Sequence, residues 1–259
     1  PDLRGYGRTG GPDDVDAYHL QHLIGDVIGL MDALGLETAT FVGHDWGALL
    51  MWHLAMLHPE RVDRLVGLNI PHTPRPPADP VAIFRSRFGD DFYIVNFNDS
   101  DEADRAFAAN PGRLFTNLVR KNQLPRAAFE QLPDDMKVLS LLRVFERDDP
   151  GGEPILDQHE LDYFVDAFDK SGFTKPINWY RNFARNWQAF ENVDYTIRIP
   201  TLFIAASNEL VVGPEHVEAM KGLVPDLTVQ TLDPCGHWSQ QEHPDEVNRL
   251  IVDWLVQRG

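Results

Sequence analysis

Five residues, Gly43-His44-Asp45-Trp46-Gly47, stand between two apolar stretches of different character. Ahead of them, Thr38-Ala39-Thr40-Phe41-Val42 is a short β-branched run of the buried-strand type. Behind them, Ala48 to Leu57 reads as a helix. A strand that passes directly into a helix makes a sharp elbow and presents its central side chain at the carboxyl end of the strand. Glycines are expected on both sides of the centre, because such a turn leaves no room for side chains. The central residue here is Asp45. A serine would suit attack on a carbonyl. A carboxylate is charged at neutral pH without help from a base, and it suits displacement at a saturated carbon with formation of an ester. That ester must then be hydrolysed, and a histidine held by a second carboxylate can activate the water. The chain supplies both groups in the order nucleophile, acid, histidine: Asp45, Glu209 and His237. Glu209 follows the apolar run Thr201–Ala206, where an acid-bearing loop is expected. The other place for an acid, after an earlier strand, holds Asn69 and Ile70 and offers no carboxylate.

The elements around these residues alternate. Apolar residues recur at helical spacing from Asp16 to Leu34, and Gly35 ends the segment. Strands are expected at Leu65 to Ile70, Thr201 to Ala206 and Leu227 to Thr231, and helices at Glu215 to Leu223 and Asp245 to Gln257. Strands alternating with helices at both ends predict an α/β fold with a mainly parallel sheet. From about His72 to Asp194 the pattern is helical and loop-like, introduced by Pro71, Pro74, Pro76, Pro77 and Pro80 and closed by Ile199-Pro200. The expected organisation is a core of residues 1–71 and 195–259 with a helical lid of residues 72–194. Such a lid would cover the carboxyl ends of the strands, where parallel sheets bind ligands. Trp179, Phe183 and Trp187 recur every four residues and read as a core stripe on one lid helix, with Tyr180 on another face.

Charge narrows the function. Lys and Arg number 23 against 40 Asp and Glu, a net charge of −17, which disfavours nucleic acid and anionic membrane surfaces. Hydrophobic residues make up 43%, enough for a sizeable core, and no apolar run approaches the length of a membrane helix. The single cysteine, Cys235, excludes a disulfide framework and fits a cytoplasmic protein. No histidine pair has metal-ligand spacing, so neither a metal nor a cofactor is expected. Gly5-Tyr6-Gly7-Arg8-Thr9-Gly10 matches a dinucleotide-binding pattern literally. However, Pro12, Asp13, Asp14 and Asp16 follow it, and carboxylates repel a pyrophosphate, so the segment reads as a tight turn.

Taken in order, Asp2-Leu3-Arg4-Gly5-Tyr6-Gly7, the elbow, Phe92-Tyr93-Ile94-Val95-Asn96-Phe97, Asn178-Trp179-Tyr180-Arg181-Asn182 and Cys235-Gly236-His237-Trp238 resemble the soluble epoxide hydrolases of the α/β-hydrolase fold. The resemblance runs over essentially the whole chain. It implies that Asp45 is the nucleophile, His237 the general base and Glu209 its orienting acid. It also implies that Tyr93 and Tyr180 are lid tyrosines that polarise the epoxide oxygen. An opened epoxide is an alkoxide, and a phenol stays protonated at neutral pH and can donate to it. The backbone N–H of Trp46 is the expected oxyanion donor, and Trp46, Phe97 and Trp238 are expected to line the substrate pocket.

Two departures stand out. The family usually carries Asp where Glu209 stands. Its His-Gly-x-Pro loop, which lends a second oxyanion donor, has no match here, and the chain begins Pro1-Asp2-Leu3 without an initiator Met. The sequence therefore reads as N-terminally incomplete, with its first strands missing: either a piece of a longer chain or a form that lacks part of the sheet. The expected reaction is conversion of a small apolar epoxide and water to a vicinal diol. A homodimer is an open possibility. Dehalogenation of a haloalkane or haloacid on the same scaffold, or ligand binding without catalysis, are the alternatives. The two tyrosines weigh against the first, and the intact Asp45, Glu209 and His237 set against the second.

Overall fold

The computed structural model describes residues 1–121, 125–133, 137 and 139–258. In chain order the elements are α1 (Leu20–Ala33), β1 (Ala39–His44), α2 (Trp46–Leu57), β2 (Val62–Leu68), α3 (Pro80–Phe88), α4 (Tyr93–Asp99), α5 (Glu102–Ala109), α6 (Pro111–Leu118), α7 (Arg126–Glu130), α8 (Leu141–Glu146), α9 (Gln158–Ser171), α10 (Thr174–Tyr180), α11 (Phe183–Ala189), β3 (Thr201–Ala206), α12 (Pro214–Lys221), β4 (Leu227–Leu232), α13 (Ser239–Glu242) and α14 (Pro244–Gln257). Contacts divide the chain into two compact units. One comprises Pro1–Leu23, Pro76–Gln123 and Ala128–Glu191, and the other Ile24–Arg75, Leu124–Ala127 and Asn192–Gly259.

The second unit holds a four-stranded parallel sheet in the order β1-β2-β3-β4. Parallel neighbours need crossovers, supplied here by α2 between β1 and β2 and by α12 between β3 and β4. Strand β3 is the expected one, residue for residue. Strand β2 begins earlier than expected, at Val62, and stops at Leu68 instead of Ile70, because Asn69 turns to a positive φ of 65°. Among the described residues β1 has β2 as its strand neighbour, and Thr40 and Val42 are exposed. Side chains of Val66, Leu68, Leu202, Ile204 and Leu232 pack with Val247 and Trp254 of α14. Helix α2 is apolar on most of its faces and accordingly buried along most of its length. Where the chain leaves the sheet and where it returns, His72 donates from Nε2 to the Tyr195 carbonyl at 2.7 Å. That bond pins the two ends of the long connection between β2 and β3.

The first unit is helical. The residues between β2 and β3 form no strand among those described, apart from one isolated bridge between Arg120 and Pro154. Three asparagines at helical spacing tie in the start of the chain. Asn178 donates to the Asp13 carbonyl at 3.2 Å and Asn182 to that of Val15 at 2.7 Å, while Asn186 accepts from the Leu20 N–H at 2.9 Å. That last bond caps α1, which begins at Leu20 instead of Asp16. The residues before it form a 3-10 turn, Val15–Tyr18, and His19 is extended. The expected aromatic stripe is interrupted, because Arg181 and Asn182 form a turn between α10 and α11. Trp179 is fully buried, and Phe183 and Trp187 only partly. The glycine-rich start closes on itself, with Gly5 N–H donating to Gly10 O at 3.2 Å and Arg8 N–H to the Asp2 carboxylate at 3.0 Å. Among the described residues, no helix is long and apolar enough to cross a membrane.

Candidate active site

Asp45, Asn69, Glu209 and His237 all follow the carboxyl ends of strands, β1, β2, β3 and β4 respectively. Parallel topology therefore gathers these four residues at one end of the sheet. Asp45 sits at φ 51° and ψ −117°, a conformation that non-glycine residues rarely adopt and that marks strained functional turns. A Cβ at Gly43 would lie 2.5 Å from the Gly47 carbonyl group, so glycine is obligatory there. At Gly47 a Cβ would meet open space, so crowding does not account for the second glycine, contrary to the expectation from the motif. Asp45 caps α2, and its Oδ2 accepts the Trp46 N–H at 2.7 Å. The positive end of the helix dipole favours a negative charge at this point.

The acid is held on every side. Glu209 Oε2 receives His237 Nδ1 at 2.7 Å and Asn69 Nδ2 at 3.1 Å. Its Oε1 receives the backbone N–H groups of Leu210 at 3.0 Å and Val211 at 3.4 Å. The Glu209 carbonyl accepts from Arg126 Nη1 at 2.6 Å, and the same nitrogen donates to Val212 O at 2.5 Å. Glu209 is buried, which alone would raise its pKa by disfavouring the charged carboxylate. The His237 charge, the His237 hydrogen bond and the donors Asn69 and Val211 overcome burial and lower the carboxyl to about 2.

The histidine loop follows a cis Asp233–Pro234 bond and is clamped by a second carboxylate. Glu242 Oε2 accepts Gly236 N–H at 3.0 Å and its Oε1 accepts Trp238 N–H at 3.2 Å, one on each side of His237. The His237 carbonyl accepts His44 Nε2 at 2.7 Å. Burial lowers the His44 imidazole, and the neighbouring His237 lowers it further, which keeps the ring a neutral donor. The free face of His237 points to the elbow, with Nε2 at 3.6 Å from Asp45 Oδ1. Burial opposes charging His237. The Glu209 carboxylate, its hydrogen bond and the Asp45 carboxylate outweigh burial and push the imidazole up to about 9. Trp238 stands edge-on to His237, with ring centres 5.0 Å apart. Trp46 is buried on the first turn of α2.

The remaining expected residues form a separate aromatic cluster within the helical unit. Tyr93 opens α4 and Tyr180 ends α10. Their ring centres are 5.7 Å apart and nearly perpendicular. Phe97, one turn after Tyr93, lies 5.7 Å from the Tyr93 ring and 5.2 Å from the Tyr180 ring. Both tyrosines pack on the buried cluster of Val81, Phe92, Ile94 and Val95.

Sequence reading passed over Asn69, Glu242 and Arg126. Asn69 carried a signal, since it is a polar residue ending a buried apolar strand at the point where an acid was sought. The other two act through backbone groups and carry none. Donor atoms of Cys235, Glu242 and His243 lie within 4.8 Å of one another. The chain itself engages this trio. Glu242 receives the two N–H groups above, His243 Nε2 donates to Pro234 O at 2.8 Å, and burial pushes the Cys235 thiol up to about 12.

Comparison with known proteins gives the family. The family model described as alpha/beta hydrolase fold matches residues 1–244. Epoxide hydrolase A of Mycobacterium tuberculosis is 36% identical over 99% of this chain and 80% of its own length. Bifunctional epoxide hydrolase 2 of Sus scrofa is 33% identical over 98% of this chain, which spans only 45% of that longer protein. The crystal structure of epoxide hydrolase A from Mycobacterium thermoresistibile superposes with a TM-score of 0.86 at 34% identity, covering 98% of this chain and 81% of that one. The chain belongs to the α/β hydrolase fold family, the class that its sheet and elbow define. Within that family it belongs with the epoxide hydrolases.

Proposed function

We propose that the protein hydrolyses small apolar epoxides to vicinal diols through an ester on Asp45, with segment 72–194 acting as a helical lid. The observation that carries this reading is the placement of His237 Nε2 3.6 Å from Asp45 Oδ1 while its Nδ1 is held by Glu209. Asp45 Oδ1 attacks an epoxide carbon and the C–O bond breaks. The alkoxide takes a proton from Tyr93 or Tyr180, leaving a phenolate. Asp45 is now a neutral ester. One of the charges that held the proton on His237 is gone, and the phenolate recovers a proton from the imidazolium. Neutral His237 then takes a proton from water, and the hydroxide attacks the Asp45 ester carbon. The charge that develops falls on Oδ2, which the Trp46 N–H already contacts. Collapse breaks the ester C–O bond, and the leaving alkoxide takes the proton of the newly added hydroxyl, which releases the diol and restores the Asp45 carboxylate beside a protonated His237. Trp46, Phe97 and Trp238 are the residues assigned to the apolar walls of the substrate pocket.

The net charge of −17 and the buried lone Cys235 fit a cytoplasmic enzyme, with a homodimer as the assembly to test. The test of function is product analysis with styrene oxide and, in parallel, 1-bromobutane. Diol formation without halide release is expected. Halide release without diol would assign the elbow to dehalogenation instead.

A further inference from the structure

Arg181 closes α10 immediately after Tyr180, and each N–H of its guanidinium has an acceptor. Nε donates to the Phe97 carbonyl at 2.8 Å. Nη1 donates to Asp104 Oδ1 at 3.0 Å and to Asn178 Oδ1 at 2.9 Å. Nη2 donates to Asp104 Oδ2 at 2.7 Å and to the Ser100 carbonyl at 3.0 Å. Phe97 and Ser100 belong to the last turn and C-cap of α4, the helix that Tyr93 opens. Asn98 adds a strand to the same tie, donating to Ile94 O at 2.8 Å and Tyr180 O at 3.2 Å. Asp104 is buried, so the pair is shielded from water and its fork geometry is fixed. Nothing else in the reaction scheme uses Arg181, yet its bonds run from the Tyr180 end of α10 to the helix bearing Tyr93.

We propose that Arg181, held by Asp104, is a positioning residue that sets the spacing of the Tyr93 and Tyr180 phenols and thereby the rate of epoxide opening; this rests on the assignment of those phenols as the proton donors. The required property is the planar fork, not the charge. A lysine keeps the charge but has a single donor centre that cannot reach two helix-end carbonyls and both Asp104 oxygens.

The test uses styrene oxide and rapid-quench kinetics that resolve formation of the Asp45 ester from its decay. Arg181→Lys should slow ester formation by about 10–10²-fold, the cost of displacing a reacting group by a fraction of an ångström to one ångström. Ester decay should stay within about twofold, since it depends on His237 rather than on the phenols. In a Tyr180→Phe background the Arg181→Lys effect should be much smaller, because there is no longer a pair of hydroxyls whose spacing it sets. Asp104→Asn, which keeps shape and removes charge, should follow Arg181→Lys in direction and provides the same comparison if the lysine variant does not fold. Equal slowing of both steps, equal slowing in both backgrounds, or unimpaired ester formation would each overturn the positioning role. Unimpaired ester formation in Tyr180→Phe alone would instead overturn the phenol assignment on which it rests.

Discussion

Asn69 Nδ2 donates to Glu209 Oε2 at 3.1 Å, the same oxygen that receives His237 Nδ1 at 2.7 Å. The amide is itself held, since Asn69 Nδ2 also reaches Gly236 O at 3.1 Å and Ser239 Oγ donates to Asn69 Oδ1 at 2.6 Å. One buried side chain therefore links the acid to the loop that carries the histidine. Asn69→Ala removes a donor to a charged group, a loss of about 1.5–3 kcal/mol. Hydrolysis of the Asp45 ester should slow by roughly tenfold or more, with ester formation much less affected. Rapid-quench kinetics check this, and equal loss in both steps would contradict it.

Removing the charge of the acid should cost far more. Glu209→Gln keeps the size of the side chain but no longer stabilises an imidazolium, and its amide can present a donor to Nδ1. By analogy with the acid of a serine-protease triad, the loss is about 10⁴-fold, concentrated in ester hydrolysis. Unchanged rates in both steps would mean that the acid is another residue.

The imidazole of His237 should titrate near pH 9 in the free protein. Asp45→Asn and Glu209→Gln should each lower that value, because each removes a carboxylate that favours the charged ring. Nitrogen NMR of labelled histidine follows the titration directly. The same shift bears on stability. A histidine whose folded value lies above its ordinary 6.5 contributes stability that is complete below about pH 6.5 and disappears as pH rises through about 9. The contribution is on the order of 3 kcal/mol. Between pH 7 and 9.5 the wild-type Tm should fall more than that of His237→Gln, and parallel falls would argue against the raised value.

The two phenols should be partly redundant. Tyr93→Phe or Tyr180→Phe alone should slow epoxide opening, each by up to about 10²–10³-fold, as loss of one donor to a developing oxyanion does. The double variant should be nearly inactive on epoxides, while hydrolysis of an ester already formed should change little. Pre-steady-state rates for the singles and the double provide the comparison. Near-normal opening in the double variant would remove the reason for preferring an epoxide over a halide.

What was legible beforehand follows the physics of each element. The strand before Asp45 and the helix after it were visible because a β-branched run and a long apolar run flank a glycine-bounded centre. Strand β3 was visible because it is buried on both faces and bounded by Ile199-Pro200. The start of α1 was misplaced because its cap is Asn186, 166 residues away, and no local signal announces such a donor. The break between α10 and α11 was hidden for a similar reason. Arg181 is a good helix former and a lone Asn182 does not mark a break by itself; bonds to Phe97, Ser100, Asp104 and Val15 hold the two where they turn. The side chains that could do chemistry were readable from residue type and order. Of those that hold them, Asn69 showed only as a polar residue ending an apolar strand, and Glu242 and Arg126 not at all, because these two bind backbone groups brought near only by folding.

The covalent ester on Asp45 is the centre of this account, and trapping it is the most direct test. His237→Gln should still be alkylated by styrene oxide but should fail to hydrolyse the product. Digestion and mass spectrometry should then find a stable adduct on the peptide containing Asp45, and Asp45→Asn should neither form it nor turn over. An adduct on a different residue, or unimpaired turnover by Asp45→Asn, would contradict the mechanism.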